Sequence, residues 1–328
     1  MVKMLFRKKL FKYNPLFFFF FLSFSFIFFV FSTSLSSCSL KNFASKIFLE
    51  EDLLQEPPAE RCGSCHKDIH KDFKNSRHAV AWVSEHFKKE SKNYTDEKCL
   101  PCHAAKPIWA SSGFQEEPEL REKHVEDGIY CVTCHFDPHR KGMVGPYEVW
   151  SPPHPSFQDK KIKSSELCGV CHQETYSEWE EAKVEKTCSD CHMPKVGRKH
   201  LTQKPPMSWF HSKQDVFSHE FPALIAKKDD IKVGVARENG NLVLQLENIG
   251  VPHKLPTADQ GNPKLYIFLY WENGERETIV LSPQQENSLE YQKPVSFIFE
   301  DKGGKVKIEV KRRLSWKEEP DLISSLNY

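Results

Sequence analysis

The chain has 328 residues, 39% hydrophobic and 28% charged, with a formal net charge of +1, which is a globular composition with room for about two domains. Five of its 46 basic residues, Lys3, Arg7, Lys8, Lys9 and Lys12, precede residue 38, where no acid stands, so the remainder carries 41 basic residues against 45 acidic, a net −4. That is the wrong sign for a nucleic-acid binder, which needs to meet a polyanion.

The first 37 residues read as an export signal: basic "MVKMLFRKKLFKYNP", then the apolar run Leu16 to Phe31, then serine-rich "STSLSSC". The apolar run is 16 residues, short for a membrane span but sufficient for a signal core. "LSSC" at 35–38 resembles the lipobox of bacterial lipoproteins, which implies cleavage before Cys38 and its lipidation. The alternative is an uncleaved anchor or an ordinary signal cut nearby. Stable anchoring needs more than one acyl chain, and residues 38–60 then form a tether that ends at Pro57-Pro58.

Ten of the 11 cysteines fall into one motif. "CGSCH" at Cys62, "CLPCH" at Cys99, "CVTCH" at Cys131, "CGVCH" at Cys168 and "CSDCH" at Cys188 are five copies of C-x-x-C-H, the attachment sequence of c-type haem. Two thiols three residues apart on a helical turn reach the two vinyl groups of one porphyrin, and the following imidazole points at the iron. The expected cofactor is therefore five covalently bound haem c, on Cys62, Cys65, Cys99, Cys102, Cys131, Cys134, Cys168, Cys171, Cys188 and Cys191, with His66, His103, His135, His172 and His192 as proximal ligands. Disulfides would also suit an exported cysteine-rich chain, but they do not require a histidine after every second cysteine.

The motifs start at intervals of 37, 32, 37 and 20 residues, so haem replaces much of the apolar core. A pentahaem domain over residues 61–225, α-rich but dominated by loops, is expected. Its clearest helix is read at Ile69, Phe73, Val80, Val83 and Phe87, which share one helical face. His70, on the turn after His66, is read as a surface residue.

The second axial ligand decides what each iron does. Ten further histidines are available, at 70, 78, 86, 124, 139, 154, 200, 211, 219 and 253. The pattern resembles the multihaem cytochromes c related to the tetrahaem cytochrome that accepts electrons from hydroxylamine oxidoreductase. "CGSCHKDIHKDFKNSRHAVA" is similar to that group's first-haem signature, "CVTCHFDPHR" and "SPPHPSF" to its later segments, and "VFSHEFPA" to a Ser-His-Phe segment. "NIGVPHKLPTA" looks like its Gly-His-x-x-Pro-Thr-Gly element, with Pro252 and Ala258 where glycines are usual. The resemblance implies distal ligands at His78, His139, His154, His219 and His253. No motif has the Cys-x-x-Cys-Lys form of the related nitrite reductases.

From residue 226 the pattern changes to alternating apolar runs. "DIKVGVARENGNLVLQLENIG" is a hairpin signal around Asn239-Gly240. "KLYIFLYWENGERETIVLS" and "VSFIFEDKGGKVKIEVKRR" read as two more strand pairs joined by glycine turns. A small all-β, sandwich-like domain over 226–328 is expected.

The whole predicts an exported, membrane-anchored pentahaem c-type cytochrome, located in the periplasm or cell envelope and relaying electrons between a donor and an acceptor protein. It is expected to be an electron-transfer protein rather than a catalyst. The alternative is a multihaem oxidoreductase acting on a small nitrogen or sulfur compound at one open iron. Haem propionates add roughly two negative charges each, so a basic-surfaced redox partner is expected.

Overall fold

A computed structural model describes residues 48–111, 114, 116–222 and 228–328. The expected export signal, Cys38 and most of the expected tether lie outside these residues. Glu51–Trp150 with Pro155–Tyr328 form one compact unit, and Ser151–His154 belong to a second, smaller one. The cysteine motifs and the C-terminal strands therefore share one unit. Among the described residues no helix is long and apolar enough to cross a membrane.

The first part of the larger unit is short helices and loops. In chain order these are α1 (Ala59–Gly63), α2 (Lys67–Lys74), α3 (Glu85–Glu90), α4 (Leu100–His103), α5 (Cys131–His135), α6 (Ser165–Gly169), α7 (Gln173–Ala182), α8 (Cys188–His192) and α9 (Met207–Phe210). The expected helix through Ile69 and Phe87 is instead two, α2 and α3. Asn75 closes α2, the Ser76 hydroxyl accepts from the Ala79 N–H at 3.1 Å, and the Ser84 hydroxyl caps α3 by accepting from the Phe87 N–H. Serine side chains that bond nearby N–H groups offer the backbone an alternative to continuing a helix. The apolar spacing was real, but the two phenylalanines, Phe73 and Phe87, bury on separate helices.

Five short strands, β1 (Phe136–Asp137), β2 (Gly142–Gly145), β3 (Ser156–Gln158), β4 (Lys195–Lys199) and β5 (Gln214–Phe217), link these helices. They form one sheet in the order β1-β2-β3 and a pair β4-β5. Seven strands follow: β6 (Ile231–Glu238), β7 (Asn241–Asn248), β8 (Lys264–Trp271), β9 (Arg276–Leu281), β10 (Val295–Glu300), β11 (Val306–Arg313) and β12 (Asp321–Asn327). They build a three-stranded sheet, β10-β7-β6, and a four-stranded sheet, β12-β11-β8-β9.

The β6–β7 turn is the one expected, with Asn239 at φ 53° and Gly240 at φ 79°, the two positive values a type I′ hairpin needs. The last strand pair is not a hairpin. β10 pairs with β7 and β11 with β8, so the chain changes sheets across Asp301–Lys305. Gly303 and Gly304, at φ 71° and 65°, make that crossing possible. Alternation explains the separation, because β11 buries Val306, Ile308 and Val310 on one face while β10 leaves Ile298 69% exposed on an edge.

One apolar core draws on both sheets: Leu242, Leu244 and Leu246 of β7 with Leu265, Ile267 and Leu269 of β8 and the inward residues of β11. Leu255 and Leu289 join it from the loops. Leu244→Ala, at a fully buried site on a central strand, is expected to cost about 2–5 kcal/mol, read as a lowered midpoint in chemical denaturation followed by far-ultraviolet circular dichroism.

Candidate metal centres

Each C-x-x-C-H motif lies on or against a helical turn. His66 and His172 close their turns with N–H bonds to the carbonyls of Cys62 and Cys168, at 2.9 and 3.0 Å. Cysteines three apart then share a face. In the first and fourth motifs the glycine is needed by close approach. A Cβ on Gly63 would stand 2.4 Å from Nδ1 of His70, and one on Gly169 would stand 2.8 Å from Cγ of Tyr176. In both cases the ring lies seven positions on and folds back from the helix that follows the motif. His70 is therefore 8% exposed rather than a surface residue. It is the counterpart of Tyr176 and packs on its motif.

All five motif histidines use Nδ1 the same way. His66 donates to the Leu201 carbonyl at 2.6 Å, His103 to Ala81 at 2.7 Å, His135 to Val144 at 2.7 Å and His192 to Pro222 at 3.1 Å. His172 instead meets a carboxylate, with Nδ1 3.3 Å from Oδ2 of Asp259. A carbonyl or carboxylate oxygen only accepts, so the proton is assigned to Nδ1 and the lone pair to Nε2. Such bonds fix the tautomer and orientation of a metal-binding imidazole. Burial pushes His66, His103, His135 and His192 below the usual histidine range, while the hydrogen bond to Asp259 raises His172.

Two predicted distal histidines stand opposite motif histidines. The ring centroids of His78 and His172 are 6.2 Å apart, as are those of His135 and His219. Two imidazoles on opposite sides of one metal, each with a ring nitrogen about 2.0 Å from it, have centres roughly 6 Å apart. Both pairs match that spacing. Phe221 packs its edge on both, 4.5 Å from His78 and 5.9 Å from His219. Burial holds His78 down to about 3 and His219 to about 4, which keeps both neutral, as a ligand must be. His219 donates Nδ1 to the Phe217 carbonyl at 2.9 Å, leaving Nε2 available.

His253 follows the same rule, with Nδ1 bonded to the Lys254 carbonyl at 2.9 Å. It lies within electrostatic reach of His192. Its loop is held by buried Asn248, whose Nδ2 donates to the carbonyls of Val251 and His253 at 2.9 and 2.8 Å. Leu255 exchanges two backbone bonds with Leu289, anchoring the loop in the β core. The structure does not bring His139 to a motif histidine: it is exposed, with Nε2 2.8 Å from the Ala110 carbonyl. His154 lies in the smaller unit, its Nδ1 3.4 Å from the Ser151 hydroxyl. His211 comes within electrostatic reach of His66, and Phe87 stacks on His103 at 3.7 Å and 7°.

Sequence reading missed what α7 does. The carboxylate of Glu178 accepts from the Lys254 N–H at 3.0 Å and the Thr257 hydroxyl at 2.7 Å, and Thr175 and Thr257 share a hydrogen bond at 3.0 Å. Asp259 accepts from the N–H groups of Glu174 and Thr175. These joins tie the motif region to the β region. Lys254 and Thr257 stand in the element read around His253, but Thr175, Glu178 and Asp259 belong to no motif or periodicity, so the sequence did not mark the joins.

Thiols of different motifs lie side by side: Cys62 with Cys131, Cys102 with Cys171 and Cys168 with Cys188 are hydrogen-bonded pairs. None of the ten motif cysteines is in a disulfide. Among the described residues no cluster of three or more His, Cys, Asp or Glu side chains is gathered as a cage for a metal ion.

Residues 61–136, with the first three motifs, match a family described as cytochrome c554 and c-prime. Residues 119–193, with the last three, match one described as cytochrome c7 and related cytochrome c. No curated protein matches the chain in sequence. Among solved structures it is similar to a penta-heme cytochrome c552 from Thermochromatium tepidum, with a TM-score of 0.55 and 16% identity, over 84% of this chain and 99% of the other. At that identity the likeness is one of fold.

Proposed function

We propose that this chain is a multihaem c-type cytochrome with five covalently attached haems, relaying electrons between redox partner proteins. The observation that carries the reading is the pair of 6.2 Å imidazole couples, His78 with His172 and His135 with His219, each ending in a C-x-x-C-H histidine. Reversible one-electron transfer is what haem supplies when bound. The chain's own residues attach, ligate and orient it.

In this reading His66, His103, His135, His172 and His192 are the proximal ligands. His78 and His219 are the distal ligands opposite His172 and His135, and His253 is the distal ligand opposite His192. For the irons on His66 and His103 the sequence offers His154, and electrostatic contact adds His211 for His66; His139, with Nε2 on the Ala110 carbonyl, drops out of the set. Two protein ligands on an iron close it to substrate and favour outer-sphere electron transfer. Neighbouring thiols from different motifs support haems near enough for electrons to pass among them.

The domain reading is residues 61–225 for the haem domain and 226–328 for a β-sandwich, supported by one core shared between two sheets. Residues 1–37 as a signal and a lipidated Cys38 place the protein in the periplasm or cell envelope, tethered to a membrane, supported by the basic, apolar and "LSSC" order of the N-terminus. Mass spectrometry of the mature protein tests both parts. The expected result is a chain starting at an acylated Cys38 with five haems. Fewer haems in fully matured protein overturns the pentahaem reading, and an unacylated start overturns the anchor.

A further inference from the structure

Four of the five motif histidines donate Nδ1–H to a neutral backbone carbonyl; the fifth, His172, meets the carboxylate of Asp259. Asp259 is also fixed from outside its own loop. Its Oδ1 accepts from the Glu174 N–H at 2.6 Å and from the Thr175 N–H at 3.4 Å, and its Oδ2 accepts from the Thr175 hydroxyl at 3.3 Å. Helix α7 has no side-chain cap of its own at His172. A carboxylate from the β region supplies it, where the exposed N–H groups of a helix start favour negative charge. The Asp259 side chain is 19% exposed and that of His172 57%, so the carboxylate is held mostly out of water against a ring that water still reaches.

We infer that Asp259 is a positioning residue that sets the reduction potential of one haem, the one held by His172, from across the join between the motif region and the β region. This rests on the haem reading above. A carboxylate acceptor makes the donating imidazole a stronger base toward iron than a carbonyl does, and its charge stabilises the more positive ferric state. The haem on His172 therefore holds its electron less tightly than it would with a neutral acceptor. The thiols place it at a crossing. The Cys171 thiol lies beside that of Cys102 of the second motif, the Cys168 thiol beside that of Cys188 of the fifth, and both lie in electrostatic reach of Cys134 of the third. A lowered potential at a haem with three neighbours acts on every route through it. The segment carrying His253 would then serve two haems, ligating one and tuning the other.

The test is a spectroelectrochemical titration of the full, haem-loaded chain and its Asp259→Asn variant. Asn keeps an oxygen for the Glu174 and Thr175 N–H groups and is as good a helix cap, and it sets an NH2 where Oδ2 faced His172, so the variant removes the charge together with the acceptor of the His172 Nδ1–H. Haem content is measured first, since fewer than five haems in the parent protein refutes the haem reading and not this inference. With five present, one haem of the variant is expected to become easier to reduce by about tenfold in its equilibrium, about 59 mV for a one-electron couple, with the other four unchanged. Asp259→Ser, an uncharged cap, replaces it should the Asn protein load poorly. No single-haem rise, or an even shift of all five, overturns the inference. So does an equal rise in Thr257→Val, which cuts the bonds of the same loop to Thr175 and Glu178 but leaves Asp259 in place.

Discussion

Replacing His78 with Ala is expected to convert one low-spin ferric haem in five to high spin. His78 stands 6.2 Å from His172 between ring centroids, and its burial already holds it neutral at about 3. In the proposed reading its loss removes the sixth ligand of the iron on His172 and leaves the other four irons untouched. Electron paramagnetic resonance of the oxidised protein reads this directly. His219→Ala is expected to do the same at the iron on His135, and the double variant to show two converted haems, because separate irons act independently. His139→Ala is the contrast: with Nε2 on the Ala110 carbonyl, it is expected to leave the spin states unchanged. Unchanged spectra in both His78→Ala and His219→Ala would return the two pairs to ordinary histidine packing and remove the main support for the relay.

The second large effect separates two roles of one loop. His253→Ala is expected to convert the haem on His192 to high spin while the β region stays docked. Docking rests on Glu178, Thr175 and Asp259, and not on His253 alone. Glu178→Ala is expected to do the reverse. It leaves the Lys254 N–H without an acceptor, at a cost on the order of 1–3 kcal/mol, and leaves the Thr257 hydroxyl only Thr175 to bond, and so opens the join. The readout is faster hydrogen exchange in residues 173–182 and 253–259, with the low-spin spectrum kept. Loosening in His253→Ala equal to that in Glu178→Ala would show that an iron–nitrogen bond carries the join. No loosening in Glu178→Ala would show that the hydrogen bonds do not.

The C-x-x-C-H motifs were legible because their spacing is local. Such a turn puts two thiols and an imidazole in place through bonds no longer than one helical turn, so five motifs and the histidines that end them could be read without a fold. The same holds for the β6–β7 hairpin, which Asn239-Gly240 closes by its own backbone preference. Two readings that rested on apolar spacing alone failed. The helix expected through Ile69 and Phe87 broke at Ser76 and Ser84, and β10 left β11 for β7.

Which histidine faces which was beyond the sequence. His78 lies 94 residues from His172, and Asp259 lies 87 from it, and no local rule joins them. Only the folded chain decides such pairs. The β core pins Leu255 against Leu289, α7 presents Glu174, Thr175 and Glu178 to the loop, and Phe221 packs between His78 and His219. The sequence by itself determined what can be attached and by which atoms, since covalent chemistry needs only neighbours. The tertiary structure decided which histidines come together, which motif histidine meets a carboxylate and what ties the two regions together, because those depend on distances that separate parts of the chain acquire only by packing.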